Sequence, residues 1–164
     1  RHRWLVVLIS VACIAAIVDG TIDCFATDHA PHTADEKARP FAEAPFGIVG
    51  LETALALTLT YLVRPGHLTL ARAIELWTEA PRRLFQLPEV DLEPGSEADL
   101  VLFDPTAEWT VDPDLFFSKG RNTPFAGWTL SGRVLATMMA GRFTHLAPEV
   151  EFEHQLVLPE GARS

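Results

Sequence analysis

Apolar residues between Gly50 and Trp77 recur with helical spacing. Four leucines at intervals of three or four residues predict an amphipathic helix over residues 49–63, which Arg64-Pro65-Gly66 ends. Thr69 is the expected N-cap of the next helix, "LARAIELWTE", and Pro81 suits the first turn of a further short helix, "PRRLFQL". The leucines of the first predicted helix are Leu51, Leu55, Leu59 and Leu62, and the apolar face of the second contains Leu70, Ile74 and Trp77.

The segments on either side of these helices have the composition of strands. "TIDCFAT" (21–27) predicts a short buried strand, followed by a loop rich in proline and polar residues. Further along, a Pro94-Gly95 turn precedes a predicted strand over Ala98–Phe103, and "WTVD" continues the pattern. "GRVLATMMAGRFTHL" predicts two strands around Ala140-Gly141, with one shared face. That face contains Val134, Ala136 and Met138. The order of elements predicts an α/β protein in which the end of a βα-repeating fold precedes a small β domain, with a break near Pro88.

The first twenty residues, "RHRWLVVLISVACIAAIVDG", have a different character. A basic triplet precedes an uncharged run from Trp4 to Val18, which is short for a membrane-spanning helix of roughly 20 residues. Three interpretations stay open: an artefactual or truncated start, a buried helix, and a targeting or membrane segment.

Composition limits the class of protein. With 164 residues, 48% of them hydrophobic and 21% charged, the chain is globular and long enough for one ordinary domain. A net charge of −9 argues against a nucleic-acid surface, which needs clustered Lys and Arg. Cys13 and Cys24 both lie in apolar runs, so we expect buried free thiols in a reducing cytoplasm.

"ATDHAPHTADEK" (26–37) is the stretch with candidate chemistry. Asp28 ends the predicted strand, where barrel enzymes place catalytic groups, and a carboxylate can both ligate a divalent metal and accept a proton. His32, beyond the stiffening Pro31, could meet an anionic substrate group, whereas His29 is expected to point elsewhere. The alternative is an aspartate that caps a turn beside ordinary surface histidines. Outside this stretch, His67, His145 and His154 are expected at the surface, and Trp77, Phe85, Trp109 and Trp128 in the core.

Four motifs in order resemble the C-terminal part of a dihydroorotase of the amidohydrolase superfamily. They are "ATDHAPHTADEK", "FAEAPFGIVGLETAL", "PGSEADLVLFDP" and "SKGRNTPFAGWTLSGRV", and the resemblance runs from about Asp19 to about Phe143. It implies an α/β fold, namely the C-terminal fragment of a metal-dependent (β/α)₈ TIM-barrel amidohydrolase plus part of its small β-sandwich domain. The implied division is an apolar segment over 1–18, barrel end over 19–88, sandwich over 89–147 and an acidic tail over 148–164.

The resemblance also implies an activity. Dihydroorotases use zinc to interconvert N-carbamoyl-L-aspartate and dihydroorotate in pyrimidine biosynthesis, by attack of a metal-bound hydroxide on the ring amide. Carried over by position, Asp28 binds the metal and takes and returns the proton. His32 contacts the substrate carboxylate, and Phe46 and Gly47 contact the substrate ring through backbone groups.

The sequence departs from the family before Asp19. The family's His-x-His metal pair and its other metal ligands have no counterpart here. His2 is the only histidine that precedes Asp28, and no His-x-His motif occurs. We therefore expect that the chain alone neither holds catalytic zinc nor turns over dihydroorotate, as for a fragment or a frame-shifted start. We also expect it to be poorly soluble or oligomeric. The alternatives are a related allantoinase-like or hydantoinase-like cyclic amidase, and a non-catalytic dihydroorotase-like subunit that partners a transcarbamoylase.

Overall fold

The computed structural model describes residues 3–148 and 150, with side chains from Val11 onward. Its helices are α1 (Arg3–Val18), α2 (Ala34–Lys37), α3 (Ala54–Thr58), α4 (Leu70–Trp77) and α5 (Glu79–Phe85). Its strands are β1 (Leu100–Thr110), β2 (Thr129–Met139) and β3 (Arg142–Leu146), which form one sheet in the order β1-β2-β3. The predictions for His154 and for most of the tail over 148–164 lie outside the described residues.

The chain forms two compact units. Among the described residues, the first contains those up to Asp91 together with Pro105–Arg133, and the second contains Leu92–Asp104 together with those from Val134 onward. The first unit has two buried clusters, one of Val49, Ala56, Val111, Phe116 and Leu130, and another of Leu68, Ala73 and Leu76. The predicted domain boundaries near residues 18, 88 and 147 stay predictions.

Helix α4 begins where the sequence predicted. The Thr69 side chain accepts a hydrogen bond from the Arg72 N–H, which satisfies one of the free donors at the helix N-terminus. The buried face of α4 differs from the predicted apolar face, because Ala73 and Leu76 are buried whereas Leu70 is exposed.

The helix predicted over residues 49–63 begins only at Ala54. Leu51 precedes it in a turn and is 61% exposed, so its expected place on the apolar face is wrong. The second half, Leu59–Val63, is a π-helix, in which the Arg64 N–H donates to Leu59 O over five residues at 2.8 Å. This segment packs against the backbone around Gly132, where a Cβ would lie 2.3 Å from Leu59 Cδ1.

The strand predicted over residues 21–27 does not form a ladder with any described residue. The Phe25 N–H donates to Leu76 O at 3.0 Å, and pairing begins only at His29, in a parallel bridge with Ile48. A β-strand needs a neighbour to accept and donate its backbone hydrogen bonds, so strand-forming residues alone do not produce one.

The predicted β region is confirmed with longer elements. Strand β1 runs without interruption from Leu100 to Thr110 and takes in most of the separately predicted segments. Strands β2 and β3 form an antiparallel hairpin at Ala140-Gly141, whose φ angles of 48° and 75° are those of a tight hairpin turn. The Ala140 N–H also donates to Asp99 Oδ1 at 2.7 Å.

The described side chains of helix α1, from Val11 to Val18, are exposed or half-buried, and Ile17 packs against the second buried cluster. Val11 and Val18 are 60% and 55% exposed, and Cys13 is exposed, so the expected burial of that thiol is wrong. Cys24 is partly buried, and both thiols are free as predicted. A search of the described residues finds no helix with the length and apolar character needed to cross a membrane.

The aromatic side chains divide into two groups. Trp77 packs against Phe25 with ring centroids 5.2 Å apart, and Trp109 packs on the first buried cluster and donates to Gly132 O at 2.9 Å. Phe85 and Trp128 are exposed, so their predicted place in the core is wrong. His67 is exposed as predicted, and His145 is half-buried.

Candidate functional site

Asp28 lies at the end of the unpaired segment, immediately before the bridge between His29 and Ile48. Its φ of 47° is in the left-handed region, which aspartate tolerates better than most residues do. The residue is exposed. The backbone therefore turns at Asp28 and leaves a carboxylate accessible to solvent.

His29 binds backbone rather than a ligand. Its Nδ1 accepts hydrogen bonds from the N–H groups of Gly50 and Leu51, at 3.1 and 3.4 Å. Because a backbone N–H can only donate, Nδ1 is unprotonated and the neutral ring carries its proton on Nε2, 3.5 Å from Ser118 Oγ. This interaction holds the chain that leads into α3.

The three residues predicted to contact substrate lie together. His32 Nε2 donates to Phe46 O at 2.9 Å, and a Cβ built on Gly47 would lie 3.6 Å from the same nitrogen. The His32 Nδ1 lies 3.7 Å from Glu36 Oε2. Phe46 itself is exposed. The fold therefore brings the His32 imidazole into contact with the backbone of the loop at Phe46 and Gly47.

Gly47 is required by its surroundings. Its φ is +108°, and a Cβ there would lie 2.4 Å from Ala30 Cβ, far closer than non-bonded carbons approach. The loop can pass this close to the "HAPH" segment only with a residue that has no side chain.

Helix α2 positions a lysine against the same loop. The Thr33 side chain accepts from the Glu36 N–H, while Glu36 Oε2 accepts from the Thr33 N–H, which is a capping box. Lys37, the last residue of this helix, then donates from Nζ to Pro45 O at 2.9 Å and to Gly47 O at 3.1 Å.

Asn122 connects the two segments from the other side. Its Oδ1 accepts from the His32 N–H at 3.0 Å, and its Nδ2 donates to Ala30 O at 2.9 Å and to Gly47 O at 3.2 Å. Its backbone carbonyl accepts from the Val49 N–H at 3.1 Å. One side chain thus spans both halves of the site.

The half-buried carboxylate of Glu52 supports this arrangement. Glu52 Oε1 accepts from the Ser118 N–H at 2.7 Å, while its other oxygen is buried without a hydrogen-bond partner among the described residues. Burial acts to raise the pKa of Glu52, but hydrogen bonds from Ser118 hold the pKa below its ordinary value.

The described residues do not fit a catalytic zinc site. No three of their His, Cys, Asp and Glu side chains are grouped so that they could hold a metal ion. Catalytic zinc generally has three protein ligands around an open position, and the resemblance provides Asp28 alone. We therefore derive no reaction step through a metal held by this chain.

Sequence reasoning did not single out four residues that build the site: Lys37, Glu52, Ser118 and Asn122. Each lies inside a motif that carries the family resemblance, in "ADEK", "GLETAL" or "SKGRN". Their presence in these motifs was the only available signal, because none has a partner close in sequence that would indicate its role.

Comparison with known proteins gives the family. Residues 10–144 match the family model described as the amidohydrolase family. The chain belongs to this family. It is 53% identical over 131 residues to the dihydroorotase of Shouchella clausii, which covers 80% of this chain and 31% of that protein. It is 52% identical over 134 residues to the dihydroorotase of Brevibacillus brevis, which covers 82% of this chain and 32% of that protein.

A solved structure supports the same assignment. The L-hydantoinase of Arthrobacter aurescens matches with a TM-score of 0.77 and 32% identity, over 87% of this chain and 33% of that one. The resemblance to dihydroorotases, the membership of a hydrolase family and the α/β amidohydrolase fold are thus confirmed. The chain spans about a third of the length of the curated relatives it matches.

Proposed function

We propose that this chain is part of a dihydroorotase, which interconverts N-carbamoyl-L-aspartate and dihydroorotate in pyrimidine biosynthesis. The observation that carries the proposal is the hydrogen bond from His32 Nε2 to Phe46 O, which brings the predicted substrate residues together. Identity of about half the matched residues to dihydroorotases favours this substrate over other cyclic amides. A cytoplasmic location stays a prediction.

The proposed chemistry is hydrolysis of a cyclic amide and its reverse. Water adds to the amide carbonyl carbon, the ring C–N bond breaks, and the nitrogen that leaves takes up a proton. In this proposal Asp28 accepts the proton from the attacking water and returns it to that nitrogen. His32 binds the substrate carboxylate, and the backbone of Phe46 and Gly47 binds the ring.

The finer architecture is also part of the proposal. Residues 19–88 would form the end of a (β/α)₈ barrel, and the later strands would belong to a small β-sandwich. Zinc is the expected metal of the family, and ligands other than Asp28 would have to come from outside this chain. An enzyme of this kind could be a homo-oligomer or a partner of a transcarbamoylase.

A fusion protein tests the function. The full chain is joined to the part of the Shouchella clausii dihydroorotase that it does not match, and hydrolysis of dihydroorotate, allantoin and hydantoin is measured. We expect turnover of dihydroorotate that Asp28→Ala abolishes, whereas Asp35→Ala, which removes a carboxylate of the neighbouring helix, retains activity. Turnover of allantoin or hydantoin instead of dihydroorotate would contradict the proposed substrate.

The similarity to L-hydantoinase supports a hydantoinase-like cyclic amidase as a second candidate. The same assay distinguishes the two candidates by the substrate that is hydrolysed. A fusion protein that turns over no cyclic amide would contradict both enzyme proposals. If the chain then co-purified with a transcarbamoylase, unaffected by Asp28→Ala, the non-catalytic subunit would be favoured.

The chain by itself is expected to lack both zinc and activity, because one carboxylate does not make a catalytic zinc site. Zinc content after dialysis and dihydroorotate hydrolysis are measured on the purified full chain. Stoichiometric zinc together with activity that Asp28→Ala removes would contradict this prediction.

A further inference from the structure

The loop carbonyls of residues 45–48 are all bound within the first unit. Lys37 donates hydrogen bonds to the carbonyls of Pro45 and Gly47, and His32 donates one to the carbonyl of Phe46. The Ile48 carbonyl accepts from a backbone N–H of the "HAPH" segment at 2.9 Å. Four consecutive acceptors are therefore already used, and the loop has little freedom to rotate its peptide units.

Lys37 binds two of these four carbonyls. Its ammonium group is half-buried and uses two of its three donors on carbonyls that are two residues apart. Hydrogen bonds from a charged donor are shorter and stronger than those between neutral groups. An ammonium that bridges Pro45 and Gly47 fixes the backbone between them at both ends.

Asn122 adds a second constraint with a different geometry. Its amide donates to Gly47 O, so that carbonyl is bound from two directions, and it also holds the backbone of Ala30 and His32. The loop and the histidine are thus attached to one side chain, and neither can shift without loss of a hydrogen bond to it.

The bound carbonyls determine where the amide hydrogens point. The described peptide bonds include none that is cis, and in a trans peptide the N–H points opposite to the C=O. The carbonyls of Pro45 and Phe46 are directed at Lys37 and His32, so the N–H groups of the following residues, Phe46 and Gly47, are directed away from those donors. Neither N–H has a protein acceptor among the described residues.

We propose that Lys37 and Asn122 are positioning residues for substrate recognition, which fix the Phe46 and Gly47 amides as hydrogen-bond donors toward the ligand. The inference rests on the proposed function and adds a ligand chemistry to it. A loop whose carbonyls are used and whose amides are free suits an acceptor oxygen, as on a ring carbonyl or a carboxylate. The Phe46 and Gly47 amides would contact the bound substrate away from the ring C–N bond that breaks, so their loss should affect substrate binding rather than the chemical step.

The test measures kcat and KM for dihydroorotate in the fusion protein with single substitutions. Lys37→Met removes the ammonium, and Lys37→Arg keeps a charged donor. Asn122→Asp keeps the acceptor for the His32 N–H but removes both donated bonds. Lys119→Met is the matched control, because Lys119 is the other lysine of the chain and is exposed.

We expect Lys37→Met and Asn122→Asp each to raise KM by about tenfold with little change in kcat, because each variant loses two hydrogen bonds that hold the backbone of the substrate-binding loop. Lys37→Arg should recover most of the affinity, and Lys119→Met should match the unsubstituted fusion. Hydrogen exchange of peptides covering residues 38–51 should be faster in Lys37→Met than in Lys119→Met.

Two results would overturn the inference while the proposed function stands. One is an active fusion protein in which Lys37→Met leaves KM unchanged, and the other is a loss of kcat and thermal stability without any change in KM. A fusion protein without the substitutions that turns over no cyclic amide would instead contradict the proposed function.

Discussion

Gly47 shows how one position can depend on two separate constraints. Its φ of +108° is unfavourable for any residue with a side chain, and a Cβ would also collide with Ala30. The loop that carries the predicted substrate contacts passes over the "HAPH" segment at this point. A small change here should therefore disturb both stability and recognition.

Gly47→Ala is expected to lower the free energy of unfolding of the fusion protein by about 1–3 kcal/mol and to raise KM. Gly66→Ala is the matched control, because Gly66 has a φ of +82° but open space around it. Urea unfolding and steady-state kinetics are measured for both. Equal losses in the two variants would show that the collision with Ala30 is unimportant.

Glu52 gives a prediction about pH. Its pKa is lower in the folded chain than its ordinary value, so the unfolded state binds more protons as the pH falls through this range. The stabilisation from its carboxylate is therefore present at neutral pH and is lost as the pH falls below the ordinary glutamate value and through the lowered pKa.

Glu52→Gln should remove this pH-dependent contribution. Its difference from the unsubstituted fusion protein in free energy of unfolding should shrink between about pH 6 and about pH 3. Urea unfolding across this range checks it, with Glu43→Gln as the control at an exposed position. A difference that stays constant with pH would contradict the role of the ionised carboxylate.

At the scale of elements, a hydroxyl group of α3 binds a side chain of α4. Thr58 is 6% exposed, and its Oγ1 accepts from Trp77 Nε1 at 3.0 Å and donates to Ala54 O at 2.9 Å. Trp77 also packs against Phe25, so the indole links both helices to the segment before Asp28. Without the hydroxyl, a half-buried indole N–H would lose its acceptor.

Thr58→Val should lower the free energy of unfolding of the fusion protein by about 1–3 kcal/mol, because it leaves the Trp77 N–H unsatisfied at constant side-chain shape. Thr53→Val is the matched control. Thr53 is 1% exposed and its hydroxyl has no partner among the described residues, so its loss should cost little or nothing. Comparable losses in the two variants, measured by urea unfolding, would contradict the importance of the indole hydrogen bond.

At the scale of the whole molecule, large apolar side chains at several places face solvent. They include Phe41, Phe46, Leu92, Leu115 and Phe117. The strand-like residues 21–27 add backbone groups without a β ladder in the described part of the chain. Surfaces of this kind mark positions that a further polypeptide covers, or else they promote association.

The isolated full chain is therefore expected to form oligomers or to precipitate. Size-exclusion chromatography with light scattering measures the molar mass, and the fusion protein provides the comparison, since it should associate less. A monodisperse monomer with cooperative thermal unfolding would contradict this expectation.

Local signals in the sequence determined the features that depend on near neighbours. The Thr69 cap, the hairpin at Ala140-Gly141 and the existence of helices α4 and α5 follow from side chains that act within a few residues of themselves. The four motifs also indicated the family, which the family model over residues 10–144 and the similarity to dihydroorotases confirm. The roles of Asp28 and His32 stay predictions.

The tertiary structure alone determined which residues are buried, which backbone segments pair and which distant side chains form hydrogen bonds. Asn122 lies 90 positions from His32 and 92 from Ala30, and no local pattern indicates bonds of that separation. The exposure of Leu51, the π-helical turn at Leu59–Val63 and the unpaired segment over 21–27 likewise depend on distant partners. The physical reason is that caps and turns are satisfied within the local chain, whereas burial, strand pairing and loop orientation require groups that only the fold brings together.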